Sequence, residues 1–408
     1  DREIEKFDKV KLVENNLSKI RLAIEEAIKS TDHQRRKIAT ACYIIDRLNM
    51  RVGDEKDDEE EADTVGATTL RPEHITIEGN KVFFDFLGKD SVEWKKTCEF
   101  SPAVIEVFKE LVHEAETSPV EKAQIFDGIG SKQVNAFLGE IVDGLTAKVF
   151  RTYHASNTVA KALEESDVNK DDPDYKKKEA ATMANREAAI ICNHMKQEPK
   201  NWSNRLQRFR ERKMKADERI EKAKENQKAK ETRVEELVAI LQERKKQKKE
   251  ADKHLAEKKN AYDQLKTKVE TAAAAALPPH SAAGETSKHQ SLKKELEALK
   301  RQVNTAKKSA QAVARRVENA KKQLEKANNS LGTAKERVYK AREAANKILS
   351  QERIAKSTKT WNLGTSLKSY IDPRIYYNWG REVDYNWKDY YSATLQKKFS
   401  WVERNEGE

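Results

Sequence analysis

One glycine-rich stretch has residues that could bind phosphate. It reads Gly128-Ile129-Gly130-Ser131-Lys132. A nucleotide-binding P-loop instead has a glycine, four residues of any type, and then Gly-Lys-Ser/Thr. In that loop the backbone N–H groups surround the phosphates. The chain also has no His-Glu-x-x-His pair, EF-hand loop or Gly-x-Ser-x-Gly turn. The sequence therefore predicts neither a nucleotide cofactor nor a metal, and the cofactor expectation is none.

The cysteines and the apolar runs restrict the class of protein. Cys42, Cys98 and Cys192 lie far apart in 408 residues and form no Cys-x-x-Cys pair. This argues against a disulfide framework and a cysteine-based zinc site, and it favours a reducing compartment. No run of 18 apolar residues occurs, so no membrane partner is expected. Because the chain opens Asp1-Arg2-Glu3, we expect it to be a piece of a larger protein.

Positive charge is concentrated in one segment. Residues 201–356 contain 41 Lys/Arg and 22 Asp/Glu, a net charge of +19, whereas the other residues contain 39 and 47, a net charge of −8. A basic segment of this size suits a polyanion, either nucleic acid or an anionic membrane surface. The alternative is a solvated helix face with no partner.

The first 200 residues are predicted to form a mainly α domain with a small three-stranded antiparallel sheet. Residues 2–50 repeat apolar side chains at helical spacing, and residues 100–196 return to that pattern. Between them, residues 74–100 read strand, turn, strand, turn, strand. Lys89 is predicted at the tip of the second turn. The acidic residues 52–62 are predicted to be exposed.

Residues 201–357 are predicted to form a long antiparallel coiled-coil hairpin. Seventeen apolar residues from 292 to 348 recur in alternating steps of four and three. Proline and glycine between the halves predict a turn at about 272–290, including Gly284. Each arm would be about 70 residues, or roughly 100 Å, long. Because the break falls near the middle, a hairpin within a monomer is favoured over an intermolecular coiled coil.

Residues 358–408 are predicted to form a short helical C-terminal domain. Four of the six tryptophans and six of the eleven tyrosines lie in this region. So many aromatic side chains need a core to bury in. The returning hairpin would bring them to the core of residues 1–200.

Five stretches, in order, resemble the eukaryotic-type DNA topoisomerase IB family. The resemblance covers that family's catalytic domain, linker and C-terminal domain, with the coiled coil between the fourth and fifth stretch. The stretches are Asp46-Arg47-Leu48-Asn49-Met50-Arg51-Val52-Gly53-Asp54-Glu55-Lys56 with Glu61-Ala62-Asp63-Thr64-Val65-Gly66 after it, Phe84-Asp85-Phe86-Leu87-Gly88-Lys89-Asp90-Ser91, Gly144-Leu145-Thr146-Ala147-Lys148-Val149-Phe150-Arg151-Thr152-Tyr153, Cys192-Asn193-His194, and Ser366-Leu367-Lys368-Ser369-Tyr370-Ile371-Asp372-Pro373-Arg374-Ile375.

The resemblance implies an enzyme that relaxes supercoiled double-stranded DNA without ATP or an essential metal. Tyr370 would be the nucleophile that forms a transient 3′-phosphotyrosyl bond. Arg51 and Arg151 would stabilise the extra negative charge on the non-bridging oxygens, and His194 would donate a third hydrogen bond. Lys89 would protonate the leaving 5′ oxygen as general acid. The sequence identifies no general base.

The resemblance also has departures. The family's N-terminal core half is not found in this chain, which would make that half an expected partner. The linker is longer than in animal enzymes. Ser369 replaces the usual asparagine of animal enzymes, so the resemblance does not extend to camptothecin sensitivity.

Two other functions stay open. A tyrosine recombinase uses a similar Arg-Lys-Arg-His-Tyr set, although Lys148 stands where recombinases usually have histidine. A non-enzymatic coiled-coil scaffold could bind DNA through residues 201–356. In the topoisomerase interpretation, that segment contacts phosphates and slows rotation of the cut duplex, or only tethers Tyr370. The protein would lie with genomic DNA, in a nucleus if eukaryotic or a nucleoid if archaeal.

Overall fold

The computed structural model describes residues 2–53, 65–88, 92–275 and 283–404. These are mainly helical with one small sheet, so the predicted fold class is confirmed. One compact unit comprises Asp1–Phe209 with Lys347–Glu408, and the other comprises Arg210–Asn346. The helices are α1 Arg2–Asp8, α2 Val10–Ile28, α3 His33–Leu48, α4 Pro102–Thr117, α5 Ser131–Ile141, α6 Ala147–Glu164, α7 Asp174–Ile191, α8 Trp202–Ala275, α9 Ala283–Thr358, α10 Leu363–Ser369, α11 Pro373–Glu382 and α12 Ala393–Lys398, and the strands are β1 Ile75–Glu78, β2 Lys81–Gly88 and β3 Val92–Glu99.

The first helices follow the apolar pattern of the sequence. Ile20, Ile24 and Ile28 recur every four residues along α2 and are buried. Asp32 caps α3, because its carboxylate accepts hydrogen bonds from the backbone N–H groups of residues 34 and 35. Pro102 begins α4, where its fixed φ suits the first turn. These helices and the sheet enclose the first of two hydrophobic cores.

The antiparallel sheet has the order β1-β2-β3. Val82, Phe84 and Phe86 alternate along β2 with more exposed residues and face the core. Trp94 of β3 stacks on Phe86 with ring centroids 5.0 Å apart. The predicted hairpin tip at Lys89 and nearly all of the acidic segment 52–62 lie outside the described residues.

The C-terminal helices bury their aromatic side chains against α6 and α7, as predicted. Phe7 of α1 joins this second core and contacts Phe399 and Trp401, with centroids 6.2 and 6.4 Å away. Tyr376 is fully buried, and its hydroxyl donates a hydrogen bond of 2.9 Å to the carbonyl of Ala181 on α7. The two ends of the described chain therefore share one core.

The two longest helices pair as the predicted coiled coil. In α9, every position of the predicted apolar seam is at least partly shielded from solvent. Lys258 of α8 donates to Gln302 of α9 at 3.0 Å, and Lys359 lies over the ring of Trp202. The start of α8 therefore faces the end of α9, which makes the pair antiparallel. The buried seam residues are Ala306, Ala310, Val317, Ala320, Ala334 and Val338.

The helices limit the turn between them more narrowly than the pattern predicted. α8 extends to Ala275 and α9 begins at Ala283, both inside the range 272–290. Gly284 therefore lies in the first turn of α9 and does not end it. The boundaries 1–200, 201–357 and 358–408 stay predictions. Among the described residues, no helix is long and apolar enough to cross a membrane.

Replacing Tyr376 by phenylalanine should weaken the second core. The change removes the buried hydrogen bond to Ala181 and keeps the ring, so we expect the free energy of unfolding to fall by about 1 kcal/mol. Urea denaturation measures this effect. Tyr377→Phe is the matched control, because Tyr377 is half-buried and its ring, rather than its hydroxyl, makes the contact with Trp387. Equal midpoints for the two variants would contradict the assignment.

Candidate active site

Arg151 lies at the centre of the candidate site. It projects from α6 and only 7% of its surface is exposed. One terminal nitrogen donates to the carbonyl of Asn49 at 2.9 Å, and the other donates to the carbonyl of Cys192. These carbonyls end α3 and α7, where the helix dipole is negative and favours a cation. The Nε atom is buried and has no hydrogen-bond partner among the described residues.

Arg51 follows the end of α3 and is fixed by a close contact between two glycines. Asn49 ends the helix in the left-handed conformation, with φ of 53°. The carbonyl of Arg51 then accepts from the backbone N–H of Ala67 at 2.8 Å. A Cβ on Gly66 would lie 2.5 Å from the Cα of Gly53. The two segments can approach this closely only because neither residue has a side chain.

His194 follows α7 and is held by a serine of the C-terminal domain. Its backbone N–H donates to the carbonyl of Ala189 at 2.8 Å, and its side chain is 6% exposed. The ring Nδ1 lies 2.7 Å from the Oγ of Ser366, which is fully buried. Donation from Ser366 to Nδ1 satisfies both groups and leaves the proton of the neutral ring on Nε2. That Nε2 is buried and unpartnered among the described residues.

Burial, together with the charges of Arg151 and Arg51, lowers the pKa of His194 to about 3. The imidazole is therefore neutral at physiological pH. A neutral ring can donate a hydrogen bond from Nε2 to an anion without adding a third positive charge.

Tyr370 ends α10 with its ring against two of these residues. The ring centroid lies 5.3 Å from that of His194 and 5.2 Å from the guanidinium carbon of Arg151. The hydroxyl of Ser156 donates to the Tyr370 carbonyl at 3.1 Å and accepts from the backbone N–H of Asp372 at 3.0 Å. Ser156 lies on α6, the helix that also carries Arg151, so one helix positions both the tyrosine and an arginine.

Arg51, Arg151 and His194 line one cavity of about 100 Å³. The ring of Tyr370 contacts Arg151 and His194. Four of the five residues predicted for the site are therefore brought together. Gly88 and Val92 also line the cavity. Lys89, the fifth predicted residue, lies outside the described residues.

Sequence reasoning missed three residues that support the site. Ser366 lies inside the stretch quoted for Tyr370, and Ser156 lies five residues after Arg151, but neither residue type indicates its partner. Lys96 donates to the carbonyls of Leu48 and Ile191, at 3.2 and 2.7 Å. The strand alternation places Lys96 on the same face as the buried Trp94, and this was the available signal.

His154 of α6 pairs with a buried carboxylate. Its Nε2 lies 2.7 Å from Asp46, which also forms an ion pair of 2.7 Å with Arg21. Burial acts to raise the pKa of Asp46, but hydrogen bonds from His154 and Arg21 hold it below its ordinary value. Asp46 therefore stays charged and links α2, α3 and α6.

Two family models match the chain. The model described as eukaryotic DNA topoisomerase I, catalytic core, matches residues 1–227, and the C-terminal topoisomerase domain matches residues 342–408. The chain belongs to the eukaryotic DNA topoisomerase I family. The two matches lie on either side of most of the coiled coil, and together they contain all five predicted site residues.

Several curated relatives are similar to this topoisomerase-family chain over about half of its length. DNA topoisomerase 1 beta of Arabidopsis thaliana is 37% identical over 206 residues, which is 50% of this chain and 22% of that protein. DNA topoisomerase 1 of Schizosaccharomyces pombe is 38% identical over 211 residues, 52% of this chain and 25% of that protein. The mitochondrial DNA topoisomerase I of Rattus norvegicus is 34% identical over 209 residues, 50% and 34% respectively. The chain thus spans no more than about a third of these relatives.

The neutral His194 should make folding sensitive to acid. Its pKa is about 3 in the folded protein and about 6.5 when exposed, so the unfolded chain binds more protons between these values. We expect the free energy of unfolding to fall as the pH drops from about 6.5 towards 3, and His194→Gln to reduce that slope. Chemical denaturation at several pH values measures it. His113→Gln, at an exposed position of α4, is the control. An unchanged slope in His194→Gln would contradict the burial argument.

The contact between Gly53 and Gly66 should tolerate no side chain. In Gly66→Ala the new methyl group overlaps the backbone of Gly53, so we expect a loss of about 1–3 kcal/mol in unfolding free energy. Gly139→Ala is the matched control, because Gly139 lies in α5 and an added Cβ there meets no atom within 4 Å. The control should be neutral or stabilising by up to about 1 kcal/mol. Equal stability of the two variants would show that the glycine contact does not constrain the Arg51 segment.

Proposed function

We propose that this chain carries the strand-cleaving and religating site of a type IB DNA topoisomerase. The observation that carries the proposal is the ring of Tyr370 packed against both Arg151 and His194, at a cavity that Arg51 also lines. A tyrosine packed against one arginine and a neutral donor, with a second arginine at the neighbouring cavity, suits attack on a phosphodiester. Membership of the topoisomerase I family supports the same reaction.

The proposed step exchanges one phosphodiester for another. The Tyr370 oxygen attacks phosphorus and forms a 3′-phosphotyrosyl bond, while the bond from phosphorus to the 5′ oxygen breaks. The tyrosine proton passes to solvent or to a base that we do not assign, and Lys89 delivers a proton to the leaving oxygen. Because the energy of the broken bond is kept in the new one, the reverse attack reseals the strand without ATP.

The other residues act on the charge that develops during attack. The forked guanidiniums of Arg51 and Arg151 would bind the non-bridging oxygens, whose negative charge increases in the transition state. His194 would donate from Nε2 to one of the same oxygens. The Nε atom of Arg151 and the Nε2 atom of His194 have no partner among the described residues, and they are donors of the kind that such an oxygen would satisfy.

The coiled coil is proposed to contact DNA through phosphates. The net charge of +19 over residues 201–356 suits backbone contacts that do not read sequence. Such contacts would slow rotation of the cut duplex and weaken as salt increases. We propose that the protein lies with genomic DNA, and we assign no compartment, because the relatives include a mitochondrial protein.

A suicide substrate tests the proposed chemistry. The chain is incubated in EDTA and without ATP with a nicked DNA that traps the cleaved state, and denaturing gels detect an adduct on the 3′ phosphate. We expect an adduct with the unmodified chain, none with Tyr370→Phe, and a normal amount with Tyr377→Phe. Relaxation of a plasmid that lacks a special site then separates a topoisomerase from a recombinase.

The outcome must not depend on DNA affinity. The chain covers at most about a third of its relatives, so the assay is repeated with the N-terminal part of a relative added, at protein concentrations where binding is saturated. If neither mixture gives an adduct, the catalytic proposal is overturned and a DNA-binding scaffold is left. An adduct that persists in Tyr370→Phe would overturn the choice of nucleophile.

A further inference from the structure

We infer that Lys96 is a positioning residue that holds Arg51 and His194 at their places beside the cavity. The inference rests on the proposed function, because it concerns the two segments that would bind the reacting phosphate. The observation that carries it is the pair of hydrogen bonds from one ammonium group to the ends of two helices. Lys96 Nζ lies 3.2 Å from the carbonyl of Leu48 and 2.7 Å from that of Ile191.

Each of these carbonyls belongs to the last residue of a helix that leads into the site. α3 ends at Leu48, three residues before Arg51. α7 ends at Ile191, three residues before His194. A shift of either helix end therefore moves one of the proposed phosphate-binding side chains.

Lys96 and Arg151 share the task of joining these ends. Arg151 binds the next carbonyl along each segment, those of Asn49 and Cys192. Two adjacent carbonyls of α3 and two of α7 are thus connected by two cations. Arg151 would give up some of its hydrogen bonds to these carbonyls when it binds phosphate. Both described hydrogen bonds of the Lys96 ammonium, in contrast, go to the two helix ends.

The strand that carries Lys96, β3, is fixed by the buried Trp94 and by a hydrogen bond from the segment that follows α7. Trp94, two residues earlier on the same face, is buried, and its ring lies 5.1 Å from Lys96 Nζ. The side-chain amide of Asn193 donates to the carbonyl of Glu93 at 2.9 Å. The lysine is therefore presented from a rigid strand and not from a loop.

The surroundings of Lys96 make its charge sensitive to alkaline pH. Burial and the charge of Arg151, opposed in part by Cys192, lower its pKa to about 8. Above this pH the ammonium loses its charge in the folded protein, and its hydrogen bonds to the carbonyls weaken. Because the unfolded chain keeps the proton up to a higher pH, the fold gains stability as the pH rises from about 8. Alkaline conditions should therefore weaken this connection without unfolding the protein.

Two variants and one control test the inference on the full 408-residue chain. Lys96→Met removes the charge and keeps the length, Lys96→Arg restores donors to both carbonyls, and Lys95→Met changes the neighbouring lysine, whose side chain is 58% exposed. We expect Lys96→Met to slow adduct formation at saturating DNA by roughly tenfold to a hundredfold, with unchanged DNA affinity. Lys96→Arg should recover most of the rate and keep it above pH 8, where the unmodified chain slows. Lys95→Met should match the unmodified chain.

Hydrogen exchange gives a readout that does not depend on the chemistry. The backbone amides of residues 192–194 bond to the last turn of α7, and we expect them to exchange faster in Lys96→Met than in Lys95→Met. Unmodified rates and exchange in Lys96→Met would overturn the inference, as would faster exchange with an unmodified adduct rate. If the unmodified chain forms no adduct either alone or with the added N-terminal part, the proposed function fails, and exchange alone then decides whether Lys96 joins the two helix ends.

Discussion

The guanidinium of Arg151 has lost nearly all contact with water, and the hydrogen bonds that it donates among the described residues go to backbone carbonyls. A buried cation is costly unless opposite charge surrounds it. Carbonyls at helix ends supply only partial negative charge, so they stabilise the guanidinium without neutralising it. A carboxylate in their place would have bound the cation and left less charge for a substrate. The convergence of α3 and α7 is therefore what lets this fold keep an arginine buried and still available to an anion.

The position of Tyr370 depends on a second constraint, which is the return of the chain after the coiled coil. The backbone N–H of Lys196 donates to the carbonyl of Thr360 at 2.8 Å, and that of Asn362 donates to the carbonyl of His194 at 2.7 Å. Arg353, near the end of α9, forms two hydrogen bonds of 2.6 and 2.7 Å with Glu179 of α7. The segment that carries the tyrosine is thus attached beside His194 before α10 begins. His194 and Tyr370 are more than 170 residues apart in sequence, but the contacts just before α10 still fix them beside each other.

The periodicity of apolar residues predicted many of the helices and strands, because that periodicity depends only on which face of an element is buried. The seam of α9 and the three strands within residues 74–100 need only apolar residues at the right spacing, and both predictions are confirmed. The cap at Asp32 was also predictable from one side chain and its neighbours. The supporting contacts of the site were not, since Lys96 and Ser156 bond mainly to backbone carbonyls and amides distant in sequence. A carbonyl has no side-chain identity, so no residue pattern can reveal which one a lysine will reach.

Because His194 is neutral, the proposed chemistry needs one residue to stabilise charge on phosphate and a different residue to protonate the leaving oxygen. Burial and the charges of two arginines lower its pKa to about 3, so the ring has no proton to give away as imidazolium near neutral pH. The hydroxyl of Ser366 on Nδ1 favours the tautomer that presents N–H at Nε2, and this group can donate a hydrogen bond to a phosphate oxygen. A ring of this kind can stabilise charge on phosphorus oxygens, but it is a poor acid for the departing 5′ oxygen. The leaving group then needs its proton from another residue. This requirement, together with the resemblance of its stretch, is the reason that Lys89 is proposed for that role.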